Sequence, residues 1–143
     1  SMRAFNRIQM FVTLFLLSID VNTGQFYYTS AAHPTIVYSR REDKCITLGP
    51  DFMPVGIEGR QVYTVSENRL EPGDFIVLYT DGITEAVNEN MELYGKPRLI
   101  NLIPTLKDLP ADVIKDKIIG DIKNYRGEMA QNDDITLIVI KYS

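Results

Sequence analysis

Three apolar runs set the limits on what this chain can fold into: Met10–Ile19 (MFVTLFLLSI), Phe75–Tyr79 (FIVLY) and Ile135–Ile140 (ITLIVI). All are rich in β-branched, aromatic or leucine side chains, and all are shorter than the ~20 residues that cross a bilayer as a helix. Continuous runs of this length read as buried strands. The first is not a signal peptide: Asp20 follows it, and no small-residue cleavage site does. Without a targeting segment, the expected location is the cytoplasm.

Shorter segments fill in the sheet. Asn22-Thr23-Gly24 supplies a turn, Gln25–Ser30 and Thr35–Ser39 read as strands, and Ala31-Ala32-His33-Pro34 breaks them apart. Gly49-Pro50 and Pro54–Gly59 read as loops, and Gln61–Ser66 alternates like a half-buried strand. Leu70–Asp74 (LEPGD) is a tight turn into Phe75–Tyr79, with Thr84-Glu85-Ala86 as a short helical turn beyond it. Residues 3–9 read as the end of a helix, and Arg98–Leu102 as a short helix. Pro110–Tyr125 reads as a longer one, with an apolar stripe of Ile114, Ile118, Ile122 and Tyr125 and a stop at Gly127. Strands, then helices, then a strand imply an α+β fold, with helices on one face of an antiparallel sheet.

Composition narrows the function. The 143 residues are 45% hydrophobic and 24% charged, which is enough for a core without metal or disulfide staples. A net charge of -4 excludes nucleic acid as the main ligand, since phosphate backbones need a basic face. The one dense basic spot, Arg40-Arg41, is followed at once by Glu42-Asp43 and reads as a solvated turn. The single cysteine, Cys45, lies in a strand-like stretch away from the single histidine, His33, and reads as structural.

Chemistry is concentrated at two aspartates. Asp81 follows FIVLYT, and Asp133 stands just before the last apolar run. If those two strands are antiparallel neighbours, both carboxylates meet at one edge of the sheet. Carboxylate oxygens suit Mg²⁺ or Mn²⁺, which can activate a water against a phosphoryl group. Asp-Gly after a strand and Asn-Asp-Asp before one are also ordinary turns, so spacing alone leaves both readings open. No Ser-His-Asp or Cys-His arrangement competes.

Phe75–Ala86 (FIVLYTDGITEA) closely resembles the strand–TDG–TEA segment of SpoIIE/RsbU-type phosphatases, the bacterial branch of the protein phosphatase 2C (PPM) superfamily. Asn132–Ile140 (NDDITLIVI) resembles their closing DDIT strand. Met10–Phe15, Asp20, Thr23-Gly24, Ala31–Pro34, Pro54-Val55-Gly56 and Leu70–Asp74 match in order, so the likeness covers nearly the whole chain. It implies a β-sandwich flanked by helices and hydrolysis of phosphoserine or phosphothreonine by a metal-activated water. It implies Asp81 and Asp133 as metal ligands, with Gly82, Glu85 and Asp134 as neighbours. The implied partner is a phosphorylated regulatory protein, such as an anti-sigma-factor antagonist, with neither nucleic acid nor membrane.

Two departures shape the expectations. The family's Ala-Gly-His is Ala31-Ala32-His33 here, a change that costs more if the second position needs positive φ. His33 is expected to be structural. The family's acidic strand motif and its Asp-Val-x-Gly-[His/Lys]-Gly segment have no counterpart before Met10. Residues 3–143 therefore read as a single partial phosphatase domain, and Ser1-Met2 as an expression scar. The expectations are an incomplete two-metal centre, an inactive 143-residue chain with an active parent, and a homodimer or strand exchange through uncovered sheet edges. A degenerate domain that binds a partner without catalysis, or a plain structural module, are the competing readings.

Overall fold

The computed structural model describes residues 12–49, 55 and 63–143. The helix end expected at 3–9 and nearly all of the loop at Pro54–Gly59 lie outside them. The chain divides into two compact units, one drawn from 1–34 and 48–69, the other from 35–47 and 70–143.

The first unit is a three-stranded antiparallel sheet of order β1-β2-β5, with β1 at Leu14–Ile19, β2 at Gln25–Ala31 and β5 at Ser66–Arg69. The β1–β2 hairpin forms because Gly24 adopts φ 77° and closes the turn, donating from its N–H to Asp20 O at 2.8 Å. Register runs from Leu14 opposite Ala31 to Ile19 opposite Phe26. The expectation of a central, buried strand for the first run is corrected: β1 is an edge strand among the described residues. Alternate residues face solvent, Leu16 being 55% exposed. Apolar content had suggested burial, but strand position decides how many faces are covered.

β5 is also displaced from its expected position. Of the stretch expected at Gln61–Ser66, residues 63–65 are not strand, Ser66 opens the strand, and 61–62 lie outside the described residues. Ser-Glu-Asn-Arg is the strand, because Ser66–Arg69 is what lies opposite Gln25–Tyr28 of β2. Ladder hydrogen bonds use backbone groups, so partner geometry can place a polar tetrapeptide in a sheet.

At the end of β2, Ala32 has φ 56°. The alanine that replaces the family's glycine therefore sits in the left-handed region, which costs a non-glycine residue about 1–2 kcal/mol. Ala32→Gly is expected to stabilise the protein by about 0.5–1 kcal/mol, the strain relieved less the extra freedom glycine has in the unfolded chain. An unchanged urea midpoint would rule this out. His33 has a structural environment: its carbonyl accepts from Ser30 Oγ at 2.8 Å, and Nδ1 lies 3.3 Å from Thr13 Oγ1.

The second unit is a four-stranded antiparallel sheet of order β4-β3-β6-β7. Its strands are β3 (Thr35–Ser39), β4 (Lys44–Leu48), β6 (Phe75–Tyr79) and β7 (Leu137–Lys141). Helices α1 (Asp81–Thr84), α2 (Gly95–Leu102) and α3 (Ala111–Arg126) follow β6, with a 3₁₀ turn at Ile103–Leu106. β6 is central, as its uninterrupted apolar run implies. β7 is an edge strand among the described residues, with Ile138 51% exposed, so the expected full burial of the last run is corrected as well.

Helices and sheet share one core. Phe75, Val77 and Tyr79 of β6 meet Ile114, Ile118 and Ile122 of α3, Leu99 of α2 and Ile83 of α1. Each such side chain contributes about 1.5–3 kcal/mol on burial, against about 0–1 kcal/mol for an exposed ion pair such as Arg40–Asp108. The isoleucine stripe therefore holds α3 in place. Gly127, at φ 59°, ends it where the sequence places the stop. Cys45 packs against this core, and burial pushes its thiol up to about 11, in keeping with a structural role.

Two turns complete the unit. Residues 40–43 form the solvated turn expected of Arg-Arg-Glu-Asp. In the 70–74 turn the buried Asp74 carboxylate accepts from the N–H groups of Arg40 (2.8 Å) and Glu71 (2.9 Å). That aspartate fixes the approach to β6 and so the line along which β6 runs toward the site. Among the described residues, no helix is long and apolar enough to cross a membrane.

Candidate metal centre

β6 and β7 are antiparallel neighbours, with Tyr79 opposite Leu137 at the last rung. The C-terminal end of β6 therefore lies beside the approach to β7. Thr80 extends the pairing past the ladder. Its N–H donates to Thr136 O at 3.1 Å and its hydroxyl to Asp134 O at 3.2 Å, while Thr136 N–H donates back to Thr80 Oγ1 at 2.9 Å. One side chain thus ties the residue before Asp81 to the residue after Asp133.

Gly82 brings the two segments closer still. A Cβ built on it would overlap the carbonyl oxygen of Asp134 and lie 3.0 Å from that carbonyl's carbon. Its φ is not in the left-handed region, so glycine is required here by close approach alone.

Asp81 opens α1, earlier than the helical turn expected at Thr84. Its carbonyl accepts from Glu85 N–H at 2.8 Å and Thr84 Oγ1 at 3.3 Å. The side chain is exposed, as are those of Asp133 and Asp134. Asp133 Oδ1 accepts the N–H of Asp134 at 2.7 Å, which restricts the carboxylate. Buried Tyr79, immediately before Thr80, has its phenol pushed up to about 12, first by burial and then by the negative charge of Asp81. It stays protonated beside the aspartate.

A cavity of about 480 Å³ opens beside this edge, and Gly82, Glu85 and Asp133 line it. All five residues singled out from the sequence thus fall on two adjoining segments. The donors fit a hard divalent cation by chemistry: they are carboxylate oxygens, exposed enough to exchange with water. They do not make a full cage. Among the described residues, no group of three or more His, Cys, Asp or Glu side chains converges as a metal site.

Two contributors escaped sequence reasoning. Thr80 was legible only as part of a strand end, although a hydroxyl before Asp-Gly is a usable signal for a clamp. Arg126, also in the cavity wall, lies 45 residues from Asp81 and carries no local signal.

The sequence profile of Stage II sporulation protein E (SpoIIE) matches residues 2–143. The chain belongs to the SpoIIE family. It is 32% identical over 133 residues to phosphoserine phosphatase RsbU of Bacillus subtilis, covering 92% of this chain and 39% of that protein. It is 31% identical over 134 residues to protein IcfG of a Synechocystis strain, covering 92% of this chain and 20% of that protein. It therefore spans well under half the length of these relatives.

Solved structures share the fold of this SpoIIE-family chain. The SiaA-PP2C domain of Pseudomonas aeruginosa superposes with a TM-score of 0.80 at 21% identity, covering 92% of this chain and 52% of that one. The manganese-presoaked phosphatase domain of Bacillus subtilis SpoIIE gives 0.69 at 20% identity, covering 92% and 56%. The fold is α+β and protein phosphatase 2C-like, as the ordered motifs implied.

Proposed function

We propose that residues 3–143 form a partial phosphatase domain of a cytoplasmic signalling protein that hydrolyses phosphoserine or phosphothreonine on a regulatory protein. An anti-sigma-factor antagonist is the kind of substrate this reading names. The observation that carries it is the Asp81–Gly82 segment pinned against Asp133–Asp134 through Thr80, in a chain 32% identical to a phosphoserine phosphatase.

Asp81 and Asp133 would hold Mn²⁺ or Mg²⁺. When bound, the ion supplies polarisation of a phosphoryl oxygen and an acidified water. In the net reaction a water oxygen bonds to phosphorus, the bond from phosphorus to the seryl oxygen breaks, and that oxygen departs with a proton. Thr80 and Gly82 hold the backbone segments that carry the two carboxylates side by side. Asp133 loses one acceptor site to Asp134 N–H, which orients what remains. The manganese-presoaked relative supports manganese as the ion to test first.

Two carboxylates with no third partner among the described residues bind such an ion weakly, and the 143-residue chain is proposed to be inactive while its parent is active. The test is phosphate release from a phosphoserine peptide by both proteins, with Mn²⁺ and with a chelator. The parent should turn over only with metal, and the short chain not at all. Metal-independent turnover by the parent would sink the proposed function, and robust turnover by the short chain would sink the proposed inactivity. The exposed Leu14 and Leu16 on β1, an edge strand among the described residues, support self-association of the same domain, which light scattering reads as dimer or monomer.

A further inference from the structure

We infer that Arg126 is the residue that binds the phosphomonoester dianion of the substrate, in the cavity it shares with Asp133. This rests on the phosphatase reading above and adds a substrate-binding residue to it. The cavity's size is within the range of sites that hold small ligands.

Charge points to the occupant. Glu85 and Asp133 present negative charge to the cavity, and Arg126 is the one cation in its lining among the described residues. A dianion entering beside two carboxylates needs an offsetting positive group, and a guanidinium fork matches phosphate oxygens two at a time.

The state of Arg126 points the same way. Its Nε is buried and has no hydrogen-bond partner among the described residues, and its Nη1 makes one long contact, 3.4 Å, to Gln131 Oε1. None of the ion pairs among the described residues includes it. An arginine at the end of a helix ordinarily donates to the last carbonyls or to a carboxylate. Among the described residues this one does neither, although it cannot lose its proton. Its charge is balanced by no carboxylate among the described residues and is available to an anion that enters the cavity.

Another part of the cavity wall is preformed. Residues 86–94 make a hairpin, with Val87 bridged to Leu93. Tyr125, next to Arg126, donates from its hydroxyl to the carbonyls of Glu92 and Leu93, both at 3.1 Å. Tyr94 donates to Asp121 Oδ2 at 2.6 Å, and the Arg98 guanidinium lies 4.4 Å above the Tyr125 ring. These contacts join the hairpin to α3 around the residue before Arg126. Val87 and Leu93 then offer an apolar wall to the peptide flanking the phosphate. A site held this way loses little freedom on binding.

The test titrates inorganic phosphate, without metal, into the ¹⁵N-labelled chain and its Arg126→Gln, Arg126→Ala and Asp81→Asn variants. Mn²⁺ is titrated separately into each. Phosphate should shift amides at 82–87 and 126–135, and Arg126→Gln should weaken it at least about tenfold, the loss of a charge-assisted fork. Mn²⁺ binding should be unchanged in that variant. Asp81→Asn should show the opposite pattern. In the parent, Arg126→Gln should raise KM for a phosphoserine peptide more than it lowers kcat. Phosphate affinity within twofold of the original in Arg126→Gln overturns the inference. Should that variant fail to fold, Arg126→Ala is read by the same criterion. If Mn²⁺ binds Asp81→Asn unchanged while Arg126→Gln loses phosphate, the metal assignment falls and Arg126 stands.

Discussion

Asp81→Asn in the parent phosphatase is expected to lower the manganese-dependent rate by about 10²–10³-fold, the scale of removing one preorganised electrostatic contact. Stability should move by no more than about 0.5 kcal/mol, because the side chain is exposed and makes no hydrogen bond among the described residues. Only its carbonyl is used, by Glu85 and Thr84, and asparagine keeps that carbonyl. The change has a second readout. The charge of Asp81 raises the Tyr79 phenol in addition to burial, so removing that charge should bring Tyr79 down from about 12 while leaving it above its ordinary 10.0. Tyrosinate absorbance against pH measures this in the short chain, with no activity needed. A variant that keeps its rate and its Mn²⁺ affinity within twofold would remove Asp81 from the site.

The sequence made this edge legible for a physical reason. β6 is buried on both faces and central, so its apolar run is unbroken, and the turn residues after it mark where it must end. The isoleucine stripe and terminal glycine of α3 were legible for the same reason, since each residue's role is set by its own helix. What was hidden depends on partners far along the chain. β5 is polar and takes its place from β2. β1 is apolar but lies at an edge among the described residues. Ala32 could be flagged from the sequence, but its φ had to be seen. Arg126 reads as an ordinary helix-end cation, and only the fold shows that it shares a cavity wall with Gly82 and Glu85.

Gly82 and Gly120 should respond to the same substitution with opposite sign. Both lie in helices, where alanine is favoured over glycine by about 1 kcal/mol. In α3, a Cβ at Gly120 meets nothing within 4 Å, so Gly120→Ala is expected to stabilise the chain by about 0.5–1 kcal/mol. At Gly82 the same Cβ overlaps the Asp134 carbonyl, with Ile135 Cγ1 at 3.3 Å behind it. Backbone cannot rotate away as a side chain can, so relief requires α1 and the 133–135 segment to separate. Overpacking of this kind costs about 1–3 kcal/mol; set against a helix gain of about 1 kcal/mol, it leaves a net loss of up to about 2 kcal/mol. The separation also strains the Thr80 hydroxyl bond to Asp134 O and moves Asp133 away from Asp81. Gly82→Ala in the parent should therefore lose Mn²⁺ affinity although no ligand has been changed, whereas Gly120→Ala should keep it. Thermal melts and Mn²⁺ titrations of the two variants decide this. Equal stability changes at the two sites would show that the segments are not in contact, and unchanged Mn²⁺ affinity in Gly82→Ala would show that their contact does not position the metal ligands.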